Sequence, residues 1–116
     1  MLTRGYEGSA TYEVTTKLFG RPCRLEENVV DVGATPSEVA NSNPRRLFLH
    51  VVNEGVTNLR LAFSRERVVD HGILLAANGG SLTLVVDEDG EAVGYALYAA
   101  YPSGTGSVYV LELIAI

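Results

Sequence analysis

The sequence predicts an all-β fold, an antiparallel β-sandwich or jelly-roll-like domain of about seven to nine strands. Two observations carry this expectation. Short stretches alternate apolar and polar residues with a period of two, and Asn, Asp, Gly and Pro punctuate them at short, regular intervals. A third observation is the scarcity of helical signals. Only Thr35-Pro36-Ser37-Glu38-Val39-Ala40 reads as helical, with Thr35 in the N-cap position and Pro36 opening the first turn. At most one short helical turn near residues 36–40 is therefore expected.

Taken in order, the first 42 residues carry the weakest pattern. Thr11 to Leu18 alternates weakly, Cys23 to Val32 reads as extended, and turn residues interrupt both. Residues 1–42 are accordingly an N-terminal arm or edge strands, and residues 43–116 the β-sandwich core. If the segment is an arm, Tyr12, Val14, Leu18 and Phe19 are its interface residues, gaining burial from a neighbouring chain. From Arg46 to Asn53 both alternating sets are largely apolar, as in a strand covered on both faces or one lending a face to a partner. Asn58 to Ser64 alternates cleanly, with Leu59, Leu61 and Phe63 on one side. Ser81 to Val86 repeats the pattern with Leu82, Leu84 and Val86 inward, and Tyr95–Tyr101 and Ser107–Ile114 are rich in aromatic and branched residues.

The connections fit this reading. Asn53-Glu54-Gly55 and Asp89-Gly90 have hairpin chemistry, so Gly55 and Gly90 are turn glycines. Asn78-Gly79-Gly80 poses a sharper question, because adjacent glycines also occur in loops that cradle phosphate. Such a loop needs backbone N–H groups converging at a helix N-terminus, whereas Gly79-Gly80 leads into a strand pattern with no lysine nearby. Gly79 and Gly80 are read as a hairpin or tight turn. Gly104-Thr105-Gly106 fails the same test because Ser107 opens another strand.

A chain of 116 residues, 47% hydrophobic and 20% charged, suits one globular domain. Its net charge of −5 is unevenly spread. All nine Lys and Arg lie at or before Arg67, while residues 68–116 carry six acidic residues and no Lys or Arg. Nucleic acid would be repelled by that half, so no nucleic-acid partner is expected. The single Cys23 cannot form an internal disulfide. No leader pattern is read at the start, and no apolar run approaches the ~20 residues of a membrane span, so no membrane role is expected.

Candidate chemistry is sparse. Asp70-His71 could be half of a catalytic pair, with Ser64, Ser81, Ser103 or Cys23 as nucleophile, yet no G-x-S-x-G elbow is present and the other histidine, His50, lies in a strand. Asp87-Glu88-Asp89-Gly90-Glu91 lacks the spacing of a calcium loop, and two histidines with one cysteine form no zinc spacing. Tyr95, Tyr98, Tyr101 and Tyr109 could stack on sugars but fall within strand patterns, where packing is the simpler role. No catalytic residue, metal or cofactor is expected, and the protein is read as non-enzymatic.

From residue 43 the order of features is distinctive: Asn43-Pro44-Arg45-Arg46, the strand LFLHVVNEG, the strand NLRLAFS, then GILLAANGGSLTL, a tyrosine-rich strand, a Gly-rich loop and VYVLELI. Over roughly residues 43–114 this resembles the small β-sandwich virion structural proteins of tailed bacteriophages. The resemblance implies a capsid decoration (cement) protein that binds the outside of a phage shell and stabilises it. It implies the major capsid protein or other virion proteins as partners, homo-oligomers that are frequently trimers, and location in the virion after assembly in the host cytoplasm. The alternative is a carbohydrate- or receptor-binding module of a phage tail or fibre. Eight arginines against one lysine, Lys17, fit an interface protein, because Arg is favoured over Lys where proteins meet.

Overall fold

The computed structural model describes residues 22–116. Eight strands follow in order: β1 Cys23–Val32, β2 Ser37–Ala40, β3 Arg46–Asn53, β4 Leu59–Ala62, β5 Ile73–Leu75, β6 Ser81–Val85, β7 Leu97–Ala100 and β8 Gly106–Ala115. They form two four-stranded sheets, β1-β8-β3-β6 and β2-β7-β4-β5, with every pairing antiparallel. Apart from β4 and β5, which are sheet neighbours, each strand is followed by one in the opposite sheet. That alternation is the jelly-roll form of the β-sandwich.

The period of two in the sequence becomes the two faces of each sheet. Leu49 and Val51 of β3, Val108 and Val110 of β8 and Leu84 of β6 face inward from the first sheet. Leu59, Leu61, Leu75, Leu97 and Ala99 meet them from the second. Burying one leucine or valine of this kind contributes about 1.5–3 kcal/mol before conformational entropy is counted. Phe63, expected to continue the inward row of Leu59 and Leu61, lies just past the end of β4 and is 42% exposed.

Two polar clusters fasten the ends of the sandwich. At one end Arg46, 1% exposed, donates to Glu112 Oε2 at 2.6 Å, to the carbonyls of Val93 and Tyr95, and to Asn41 through its carbonyl and Oδ1. At the other, Asn53 Nδ2 donates to the carbonyls of Thr57, Leu75 and Ala76, while Asn53 Oδ1 accepts from Gly55 N and from the Tyr101 hydroxyl at 2.6 Å. Buried polar groups are tolerated because they are satisfied in this way. The Asn53 cluster joins β3 of the first sheet to β5 of the second.

Three local expectations are corrected. Residues 36–40 form no helical turn: Ser37–Ala40 is β2, paired with β7 across a bulge between Glu38 and Ala40. Pairing and the burial of Val39 and Ala40 outweigh the local cap signal of Thr35-Pro36. The helical residues lie elsewhere, in a 3-10 turn at Arg67–Val69 and in α1 at Val86–Asp89, which runs on as a 3-10 turn over Gly90–Gly94. Asp89-Gly90 is therefore the end of α1 and not a hairpin, with Asp89 Oδ2 accepting from Val85 N at 2.8 Å. Asn53-Glu54-Gly55 also joins strands of different sheets instead of closing a hairpin.

Within the stretch read as arm or edge strands, β1 forms an outer edge of the first sheet and β2 an outer edge of the second. The strand signal at Thr11 to Leu18, with Tyr12, Val14, Leu18 and Phe19, lies outside the described residues.

Candidate interaction surface

The glycines of the tight turn have distinct tasks. Asn78 and Gly79 take positive φ, 59° and 117°, and Gly80 N closes the turn on Ala76 O at 3.1 Å. Gly80 is needed for space: a Cβ there would lie 2.5 Å from the backbone N and O of Ala76. Gly55 is likewise pressed against the Tyr101 ring, and Gly90 takes positive φ at the end of α1. The Asn78-Gly79-Gly80 loop carries the chain from β5 in one sheet to β6 in the other. It opens no helix and presents no phosphate cradle.

Asp70 and His71 do pair, with Nδ1 and Oδ1 2.6 Å apart, and the hydrogen bond holds the Asp70 carboxyl below the ordinary aspartate range. Both side chains are about seventy per cent exposed to solvent. Ser64 lines the same shallow hollow as His71, but its Oγ accepts from the Arg67 backbone N–H and helps to set the 3-10 turn. Among the described residues no three His, Cys, Asp or Glu side chains gather as metal ligands, and no helix is long and apolar enough to cross a membrane.

The tyrosines do not form a row. Tyr101 is buried, and that burial pushes its phenol pKa up. Tyr98 lies on the second sheet beneath the Arg65 guanidinium, 4.9 Å from the ring centre, and Tyr95 meets Phe63 edge to face at 6.0 Å. Tyr109 lies on the first sheet, where its hydroxyl donates to Glu27 Oε2 at 2.6 Å; that hydrogen bond raises its pKa.

The two outer faces of the sandwich differ. On the second sheet Val68 of the 3-10 turn is fully buried against Ala62 and Ala100, with Tyr98 packed beside them, so the 63–72 connection lies over that face. On the first sheet, register places Leu25, Glu27, Val29 and Asp31 of β1 beside Leu113, Leu111, Tyr109 and Ser107 of β8. Beyond them come Phe48, His50 and Val52 of β3, then Val85, Thr83 and Ser81 of β6. The polar members satisfy one another: His50 Nδ1 with Thr83 Oγ1 at 2.7 Å, Tyr109 with Glu27, and Ser107 Oγ with Asp31 Oδ1 at 3.3 Å. What is left is apolar. Leu25 and Val29 are 49% and 57% exposed, and Phe48, Val52, Val85, Leu111 and Leu113 are partly exposed.

Exposed apolar patches of this kind mark surfaces at which proteins, membranes or ligands bind. The face ends at β1, ten residues long, which has β8 on one side and no strand of the described residues on the other. Its register with β8 runs through ten successive pairs without a bulge.

The apolar alternation of 46–53 signalled this face, since both sets of side chains in that stretch are hydrophobic. The contribution of Leu25 and Val29 was masked by intervening charges. No protein-family model and no curated protein sequence matches the chain. Among solved structures it is similar, at 12% identity and a TM-score of 0.51, to a chain from the work "Bacillus endospore appendages form a novel family of disulfide-linked pili", over 81% of this chain and 88% of that one. At that identity the likeness is one of fold, and the fold is the β-sandwich described above.

Proposed function

We propose that the chain is a non-enzymatic structural subunit that works by packing, in several copies, into a larger protein assembly. The observation that carries this reading is the apolar outer face of β1, β8, β3 and β6, which a protein acting alone in water would gain by covering. The finer reading is a capsid decoration protein on a tailed-phage shell, with the major capsid protein as partner, and its support is the sequence resemblance over residues 43–114. The likeness in fold to a chain from work on disulfide-linked pili supports the general class of structural subunit. One difference bears on mechanism. Each chain carries one cysteine, Cys23, and it is buried, so disulfides could join chains only in pairs; cohesion here has to come from packing and backbone pairing.

The test is sedimentation velocity and negative-stain electron microscopy of the purified full chain, alone and mixed with phage capsids. Concentration-dependent oligomers, or co-sedimentation with capsids at fixed stoichiometry, would support the structural reading, and the second outcome would support its decoration form. A chain that stays monomeric at every accessible concentration and ignores capsids contradicts it.

A further inference from the structure

The two outer faces of the sandwich carry charges of different kinds. On the first sheet, Glu27 and Asp31 stand in the same outward rows as Tyr109, Leu111 and Val52. Among the described residues these rows hold no Lys or Arg, and their one imidazole, His50, is hydrogen-bonded to Thr83. The Tyr109 and Ser107 hydroxyls donate to the two carboxylates, which leaves the negative charge in place. On the second sheet the outward rows are Glu38 of β2, Tyr98 and Ala100 of β7, Arg60 and Ala62 of β4 and Leu74 of β5. The 63–72 connection adds Arg65, over the Tyr98 ring, and the exposed Arg67 and Val69. Glu38, Glu66 and Asp70 bring the second face close to neutral, with Asp70 taken up by His71.

We propose that the apolar, acidic outer face of the first sheet packs on the outer face of the second sheet of another copy of this chain, so that copies join head to tail. The inference rests on the assembly reading above and names the surface that receives the apolar face. Two first-sheet faces brought together would bury Glu27 and Asp31 of both copies with no Lys or Arg in the rows that hold them, and a buried carboxylate without a cation is costly. Against the second sheet the same carboxylates meet guanidinium groups with donors to spare. Arg65 spends one nitrogen on Pro36 O at 3.0 Å, the Arg67 side chain makes no hydrogen bond among the described residues, and the buried Arg60 Nε has no partner. Arginine suits carboxylates at interfaces because its fork of N–H groups matches their geometry. Leu74 and Val69 on one side, with Leu25, Val29 and Leu111 on the other, supply the apolar part of the contact.

A joint of this kind is heterologous, because the surface each copy offers differs from the one it binds. The two faces lie on opposite sides of the sandwich, so each copy can hold two neighbours at once. Association then continues from copy to copy until the rotation per step closes a ring, or runs on as an open chain where it does not. Packing of like faces would instead give a two-fold dimer and stop there.

The experiment uses full-length chains with separable tags. Leu111→Lys alters the first face and Leu74→Glu the second, and Leu74 is exposed on β5, so its exchange leaves the core intact. Where the parent assembles, each variant alone is expected to stay monomeric in sedimentation velocity. A mixture of the two is expected to form complexes holding both tags in equal number, because the unaltered second face of one chain receives the unaltered first face of the other. Leu74→Glu chains that assemble alone as the parent does would overturn the proposal, since packing of like faces has no use for the second sheet. Two variants that stay monomeric when mixed would overturn it as well. Either result leaves the assembly reading standing, whereas a parent that never associates sinks both. Val69→Glu takes the place of Leu74→Glu if that variant fails to give the circular dichroism of the parent. The charge argument has its own readout: Arg67→Glu should weaken self-association by about tenfold or more with the fold unchanged, and an association constant equal to that of the parent would overturn the pairing of guanidinium with carboxylate.

Discussion

Asn53 accepts from Tyr101 inside the sandwich, and the residue-scale predictions start there. Tyr101→Phe keeps the ring and deletes the donor, leaving a buried amide oxygen short of one partner, and should lower unfolding free energy by about 1–3 kcal/mol in a urea titration. The phenol also sets an alkaline limit. Burial raises its pKa above the unfolded value near 10, so its contribution is complete below about pH 10 and is lost as pH rises through the folded value. The stability gap between the parent and Tyr101→Phe should therefore narrow in strong alkali; a constant gap would mean that the phenol is not held neutral by its site. The turn glycines separate strain from clash. Gly79→Ala, with open space around its Cβ, should cost about 1–3 kcal/mol through positive φ alone. Gly80→Ala meets the Ala76 backbone and should cost more, an order that thermal melts would reverse if positive φ were the only constraint in the turn. For the exposed Asp70-His71 pair, Asp70→Asn with His71→Gln should leave self-association unchanged by sedimentation. Any stability from the lowered Asp70 carboxyl is present above the ordinary aspartate pKa and lost as pH falls through the lowered one, so a difference seen only in strong alkali would come from elsewhere.

At the scale of elements, Arg46 fastens the start of β3 to Glu112 of β8 and to the carbonyls around Gly94. Arg46→Leu should cost about 3–5 kcal/mol, because the Glu112 carboxylate, the buried Val93 carbonyl and three partly buried acceptors lose their donor. Sequence reading reached β4 and β6 through their period of two, and β3 and β8 through runs rich in apolar and branched residues without helical punctuation. It could not reach β2 or β5 in the same way. Four residues of β2 behind Thr35-Pro36 carry a helix-start signal, and the pairing that overrides it involves Ser37 with Ala99 and Glu38 with Tyr98, some sixty residues on. Likewise Asp87-Glu88-Asp89-Gly90-Glu91 carries no helical signal in the sequence, and only the backbone shows Val86–Asp89 as α1, with Asp89 Oδ2 accepting from Val85 N–H. Glycine and asparagine turns were visible at Asn53-Glu54-Gly55 and Asn78-Gly79-Gly80, but their chemistry is the same whether a chain turns within a sheet or crosses between two. The candidate surface was legible only in its β3 row, since Phe48 and Val52 are apolar neighbours of an apolar core set, whereas Leu25 and Val29 become a surface only once β1 is laid against β8.

On the whole-molecule scale one face of the sandwich is partly covered by its own 63–72 connection, with Phe63, Val69, Ile73 and Leu74 exposed in and beside it, and the other exposes Leu25 and Val29 beside the partly exposed Phe48, Val52, Leu111 and Leu113. Under the proposed reading, covering the apolar face with another copy would add stability to each subunit. The most direct measurement is sedimentation of the full chain across a wide concentration range beside Leu111→Lys and Val52→Lys, two outer-face variants whose side chains do not enter the core. The account expects the parent to associate, and both variants to stay folded by circular dichroism yet remain monomeric at concentrations where the parent is fully assembled. A parent that remains monomeric throughout, or variants that assemble as the parent does, would contradict the claim that this face is what the protein works with.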